Sequence, residues 1–427
     1  MAAWKQPGRA GGGSWLAWAG YAIVLALAPW VWDTNLGLTL LSQMGVAIIG
    51  CLAFNLLLGQ GGMLSFGHAV YAGLGAFCAI HTLRLVNAGV WALPVSLVPL
   101  AGGLAGLGLA ALLGYVTTRK AGTPFAMITL GVGELVWAVS LMFPAVFGGE
   151  GGISANRVVG ESVLGVTFGP PLELYYLIGL YTFVCTALLY AFTRTPLGRM
   201  LNAVRENPER AACVGYDPRL VRYLAFMVSG FFMGVSGGLA ALNFEIVTTE
   251  VLGAARSGAY LLFTFVGGTM VFYGPIIGAV LMVLALVLFS TLTQAWLLYL
   301  GLLFMAMVMF APGGVAGWLQ GWGAGLGACR RGGPGAAAMR RRLAARLALA
   351  VPLLMAALGG TALVEMAYHR QLNAALGPQM RWLGLTLDTT QPGHWLSMLL
   401  WVAAALAAVW ALRRWQRRTR PAPGVTP

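Results

Sequence analysis

The chain is poor in charge. Of its 427 residues only 9% are Asp, Glu, Lys or Arg, while 59% are hydrophobic, and the mean hydropathy is +0.80. A soluble domain averages roughly 25% charged residues, so this composition excludes a water-facing surface over most of the chain. Lysine is almost missing. Neither Lys5 nor Lys120 follows the GxxxxGK[ST] spacing, which excludes a P-loop and ATP binding of that kind. The histidines (His68, His81, His369, His394) show no metal-ligand spacing. The five cysteines (Cys51, Cys78, Cys185, Cys213, Cys329) form neither CxxC nor a regular disulfide framework, and no GxSxG elbow occurs. Hydrolytic and metal chemistry therefore have no constellation to rest on. No cleavable leader is expected either. Lys5 and Arg9 precede the first apolar run, but no short apolar segment with a small-residue cleavage site follows.

What is present is apolar sequence in runs near the ~20 residues that span a hydrocarbon core as a helix. The runs fall at about 15–32, 37–58, 63–83, 91–118, 124–147, 172–193, 222–244, 258–272, 275–290, 293–311, 343–366 and 394–412. The expected fold is all-α: a polytopic helical membrane protein with about ten core transmembrane spans and a two-span C-terminal appendix. The stretch 258–290 is ambiguous, being interrupted by Gly267, Gly268, Gly274 and Pro275. It reads as one tilted span, a re-entrant pair or two crossings. Basic residues concentrate on the cytoplasmic side of membrane proteins. With the N-terminus inside and two crossings in 258–290, every Lys and Arg except Arg84, Arg157, Arg256, Arg370 and Arg381 falls inside. Two crossings and cytoplasmic termini are therefore expected. The net charge of +14 lies in loops between apolar runs, which fits orientation and argues against nucleic acid as a partner.

The expected organisation is a cytoplasmic N-terminus at 1–14, a core at 15–318, a Gly/Arg-rich cytoplasmic linker at 319–342, the appendix at 343–412 and a basic tail at 413–427. The arginines of that tail suit anionic lipid. Within the core the longest polar stretch is TRTPLGRMLNAVRENPERAACVGYDPRLVRY, residues 193–223. Pro196 suits the first turn of a helix, and Leu201, Ala203 and Val204 fall on or near one face. Pro208 restarts the chain as a second short helix, Gly215 suits its C-terminal end, and Asp217-Pro218 suits a turn or new start. A connector needs only a few residues, so thirty residues of mixed charge read as a docking element for a soluble partner rather than as a solvated linker alone.

Two features lie within the apolar runs. Glu134, in MITLGVGELVWAV, is an acid at membrane depth, which is costly and marks either a hydrogen-bond acceptor for neighbouring helices or part of a transport path. The stretch GQGGMLSFGHAVYAGLGAF at 59–77 breaks a span with glycine. Gln60, Ser65 and His68 lie near that break. Ser65 is expected as the N-cap of the next helix, and His68 as a donor to a freed carbonyl, with solute contact as the lesser reading. Gly67, Gly73 and Gly75 would let another helix approach. A second break, 267–275, has a loosely similar sequence, and both are candidates for path lining because freed backbone at membrane depth needs a cavity or protein around it.

Four blocks together resemble the LivM-type permease subunits of branched-chain amino acid ABC transporters. They are GQGGMLSFGHAVYAGLGAF, TPFAMITLGVGELVWAV, TPLGRMLNAVRENPERAACVGYDPRLVRYLAFMVSGFFMGVSGGLAA, and FVGGTMVFYGPIIGAVLMVL with MFAPGGVAGW. The resemblance covers about residues 20–318. It implies an ATPase-coupling loop at 194–222, with Arg199, Arg205, Glu206, Glu209, Ala211, Ala212 and Gly215 as its candidate residues. Arg210 interrupts the broader importer EAA pattern there, and Gly313 stands where the family commonly has arginine. The resemblance further implies two ATP-binding cassette subunits, a second homologous permease and a periplasmic solute-binding protein. No cofactor would be bound by this chain, ATP and Mg being used by the partners. It also implies the bacterial inner membrane. A urea or short-amide importer permease, a stand-alone carrier and a membrane scaffold remain alternatives at this level.

Overall fold

A computed structural model of the protein describes residues 13–91, 93–158, 168–292, 295–310, 313–320, 336–372, 379–382 and 385–418. The expected runs appear as helices: α1 (Gly13–Val31), α2 (Asn35–Asn55), α3 (Ala69–Asn87), α4 (Val98–Thr117), α5 (Thr123–Met142), then the single turn α6 (Pro144–Phe147) and α7 (Pro171–Arg194). Two short helices follow, α8 (Pro196–Glu206) and α9 (Pro208–Cys213), before α10 (Pro218–Phe244), α11 (Ala254–Gly267), α12 (Gly274–Leu292) and α13 (Trp296–Phe310). The last two are α14 (Ala336–Leu372) and α15 (Pro392–Arg418). Among the described residues eight helices are long and apolar enough to cross a bilayer, and three shorter apolar helices accompany them. The chain is a multi-pass helical membrane protein.

Local chemistry sets the boundaries. Thr34 starts α2 by accepting the Gly37 N–H at 3.0 Å. Proline cannot continue a helix without losing a donor, so the fifth run stops at Met142 and resumes as a separate turn at Pro144, and the fourth run begins only at Val98 after Pro94. The third run begins six residues later than its hydropathy suggests, at Ala69, because the backbone of 61–68 is not helical. The ambiguous stretch 258–290 is a hairpin of two helices. Glycine lets α11 and α12 touch: a Cβ on Gly267 would meet the Gly278 nitrogen at 2.8 Å and one on Gly278 would meet the Gly267 Cα at 3.2 Å, so the pair runs antiparallel. The expected linker is partly helical, since α14 already begins at Ala336. Residues 321–335 and 419–427 lie outside the described residues.

By contacts the chain forms two compact units, 1–286 with 303–318, and 287–302 with 319–427. In the first unit α2, α3 and α10 make the buried centre, with Phe54, Phe125, Phe226 and Phe263 among its fully buried side chains. Association of helices in lipid depends on close backbone packing rather than on the hydrophobic effect. Gly75 shows how this is met. A Cβ there would lie 2.6 Å from the Gly234 Cα and 2.9 Å from the Gly102 carbonyl, so α3, α4 and α10 converge at one point that admits no side chain. At the α10 end a two-residue ladder, β1 (Ile153–Ser154) with β2 (Ile246–Val247), is antiparallel. Arg157 locks it, pairing with Glu245 at 3.8 Å and donating to the carbonyls of Phe168, Gly169 and Leu242.

The second unit contains α14, α15 and the antiparallel hairpin β3 (Gln379–Trp382) with β4 (Leu385–Asp388). Its small core is Ala362, Met366, Leu387 and Met398. The Thr390 hydroxyl and backbone N–H both bond the Asp388 carboxylate, which holds that acid below its ordinary pKa.

Candidate functional site

The site is built where the break after α2, the pair α8–α9 and the loop 268–273 meet. The polar segment folds as its prolines and caps dictate. Thr195 is extended and its hydroxyl accepts the Gly198 N–H at 3.2 Å, so α8 starts at Pro196. Asn207 is extended in turn, and its side-chain oxygen accepts the Arg210 N–H at 3.0 Å to start α9. Gly215 ends α9 with a φ of +93°, a conformation that a Cβ would strain. Asp217 then caps α10 by accepting the Arg219 N–H at 2.8 Å. Gly198, Leu201, Val204 and Ala211 are buried, which makes one face of α8–α9 an inner face.

That inner face holds the end of α2. The helix does not stop at Asn55 but widens into a π turn, Leu56–Gln60, whose last carbonyls lack helical donors. Asn202 donates from its amide nitrogen to the Gln60 side-chain oxygen at 2.7 Å, and the Arg205 guanidinium donates to the Gly59 carbonyl. A charged donor on a carbonyl is among the stronger hydrogen bonds available. Gly59 also abuts the second break: a Cβ there would lie 2.6 Å from the Thr269 carbonyl. The two glycine-broken segments, far apart in sequence, are thus neighbours in space, with α8 attached to one of them.

The start of α3 is completed by side chains from elsewhere. Ser65 is not its N-cap: α3 begins at Ala69, whose N–H is accepted by the Ser257 hydroxyl at 2.9 Å, while the buried Ser65 hydroxyl has no hydrogen-bond partner. The residues 61–68 run on as non-helical backbone, so the cap position falls at His68, three residues later than the sequence suggests. His68 reaches a helix carbonyl only through a relay. The Ser229 hydroxyl donates to the Ala53 carbonyl at 2.6 Å, and His68 Nε2 lies 2.8 Å from the same hydroxyl oxygen. With the hydroxyl hydrogen committed to Ala53, Nε2 must carry the imidazole hydrogen. His68 is fully buried among Phe54, Tyr71 and Phe226. Buried side-chain atoms of Asn55, Gln60, Ser65 and His68 nonetheless have no partners, half of the buried side-chain atoms among the described residues that lack one.

Of the other expected site residues, Gly267 and Gly268 form the closed end of the α11–α12 hairpin, Gly268 at a φ of +110°, and buried Pro275 occupies the first turn of α12. Arg199, Glu206, Glu209, Ala212 and Gly215 are exposed on α8–α9, away from the gripped break, while Arg205 turns inward and is half-buried. Glu134 differs from its expected setting. It is exposed on the outward face of α5, and among the described residues no neighbouring helix hydrogen-bonds it. A charge facing hydrocarbon at mid-span costs about 2.5–3.5 kcal/mol on insertion scales. The helix was expected to bury its acid, but Thr129 and Gly133 take the inward positions, with Thr129 accepting the Phe66 N–H.

Sequence reasoning missed Asn202, Ser229 and Ser257, and missed Val214, Tyr216 and Leu220, large apolar side chains exposed beside the charges of the α8–α9 segment. Asn202 stands three residues before Arg205, hence on the same helix face. That spacing was the available signal. Ser229 is one of two serines in a long apolar run, with no local pattern to mark it.

Residues 37–312 match the family model for the branched-chain amino acid transport system permease component. The chain belongs to this family. Relatives include the high-affinity branched-chain amino acid transport system permease protein LivM of Escherichia coli (strain K12), 27% identical over 316 residues, which covers 69% of this chain and 73% of that protein. The protein of the same name from Salmonella typhimurium (strain LT2) is 28% identical with the same coverage. No solved structure matches the chain. The matched segment of this permease contains both breaks, α5 and the α8–α9 pair, so the assembly just described belongs to the family core.

Proposed function

We propose that this permease is the transmembrane subunit of an ATP-driven, binding-protein-dependent importer of branched-chain amino acids in the bacterial inner membrane, with both termini cytoplasmic. The observation that carries this reading is the two-sided build of α8–α9. Its inner face is hydrogen-bonded to the broken end of α2. Its outer face shows Glu209, Arg210, Val214 and Tyr216 to the surroundings. An exposed apolar patch rimmed by charge suits a protein partner, and here that partner is an ATP-binding cassette subunit, one of two. A second permease and a periplasmic solute-binding protein complete the complex.

ATP and its magnesium ion would be bound and consumed in the partner subunits. This chain's part is mechanical. Closure of the ATPases moves α8–α9, and through Asn202 and Arg205 the motion reaches the π turn of α2. A shift of this kind requires that the ATPases bind the two permease states with different affinity. The unpaired polar groups around Gln60, Ser65 and His68 support the break as the place where the states differ, since an incompletely satisfied network loses little on rearranging.

The test separates the outer face from the inner one. Val214→Glu with Glu209→Lys is expected to leave the permease folded but to strip the ATPases from the purified complex, lowering their recovery about tenfold or more, a loss on the scale of interface hot spots. Undiminished recovery of the ATPases with the double variant would refute the docking assignment.

A further inference from the structure

The outward faces of the peripheral helices are not alike. α7 shows Leu172, Tyr176, Leu180, Val184 and Leu188, an uninterrupted apolar stripe suited to lipid. The exposed side of α5 also carries apolar residues, Leu135, Trp137 and Leu141 among them, but one line along it runs Met127, Gly131, Glu134, Ala138, spaced four, three and four residues apart. A side chain added at Gly131 would meet nothing within 4 Å in this chain. Glu134 thus stands half-way along an apolar span, with small Gly131 and Ala138 on one side of it and the larger Leu130 and Trp137 as its other neighbours along the helix. Among the described residues no cation pairs with it, the ion pair there being Arg157–Glu245. An acid so placed needs water or a positive partner from outside the chain.

We propose that this stripe of α5 lines the solute path shared with the second permease, and that the Glu134 carboxylate receives the ammonium group of the amino acid in transit. The inference rests on the proposed function and names the group that meets the solute. An α-amino acid carries one ammonium, and removing it from water is tolerable only where an anion replaces the lost hydrogen bonds. Glu134 supplies that anion. The space beside Gly131 and Ala138 admits the solute backbone, and exposed Met127 and Leu135 offer apolar contact to a branched side chain.

The experiment uses the full complex, with its ATPases, second permease and binding protein, in proteoliposomes. Glu134→Gln keeps the shape and the hydrogen-bond acceptor but removes the charge. Leucine uptake is expected to fall about tenfold, the scale of replacing a charged acceptor by a neutral one, with complex recovery unchanged, and Glu134→Asp is expected to restore most of it. In a second arm Ala138→Cys, in a chain whose exposed Cys213 is serine, is expected to react with a water-soluble thiol reagent, whereas Leu180→Cys reacts only with a lipid-soluble maleimide. Uptake by Glu134→Gln within twofold of the parent, or labelling of Ala138→Cys only from lipid, overturns the proposal. A parent complex that imports no leucine would defeat the proposed function instead, and the labelling arm would still decide whether α5 faces water.

Discussion

The core is interrupted twice, and the two interruptions are held by different means. The break after α2 is braced by polar side chains lent from other segments: Asn202 and Arg205 from α8, Ser229 from α10 and Ser257 from α11. The break after α11 is held by backbone. Gly267 packs on Gly274 and Gly278, and Gly268 packs on the Gly313 carbonyl and on Gly314. Hydrogen bonds between side chains can be exchanged at about 0.6 kcal/mol each in a membrane protein. Interlocked glycines cannot be rearranged without opening a gap between helices. On the proposed mechanism the first break is the one that moves and the second the one that stays, and the two touch at Gly59 and Thr269.

The contrast predicts unequal sensitivity to substitution. The largest effect is expected in the glycine-held break. Gly268→Val must adopt a φ of +110° and place its Cβ 2.5 Å from the Gly313 carbonyl. Strain and overpacking together should cost about 3 kcal/mol or more, read as loss of folded protein or a much lowered Tm in detergent. Equal Tm values for variant and parent would erase the distinction. A smaller effect is expected at the polar brace. Ser229→Ala removes the bridge between His68 and Ala53 and should cost about 1–2 kcal/mol, leaving a folded chain with a modestly lower Tm. A collapse as complete as that of Gly268→Val would show that the two breaks are held alike.

Much of this fold was legible in the sequence because lipid imposes length. Twelve apolar runs became helices, and Pro196, Pro208, Gly215 and Asp217 marked the turns of α8–α9 where they stand. The direction each span faces was not legible. In a soluble helix the polar face announces solvent, but a span in lipid is apolar all round, so nothing local said that Glu134 would point outward while Thr129 and Gly133 point in. Helix starts inside the membrane were equally obscure. Ser65 looked like a cap, yet the cap of α3 came from Ser257, almost two hundred residues away. The grip of α8 on the π turn required knowing that Asn202 and Arg205 face the protein rather than the water.

That grip is the centre of the proposed mechanism, and one measurement bears on it most directly. Asn202→Ala with Arg205→Ala removes both hydrogen bonds to 59–60 while leaving the outer face of α8–α9 intact. In proteoliposomes containing the whole complex, ATP hydrolysis and leucine uptake are measured side by side. The expected result is ATPase subunits retained and hydrolysis continuing, with uptake reduced about tenfold or more, a coupling loss of roughly 1.4 kcal/mol. Uptake that stays in proportion to hydrolysis would contradict it.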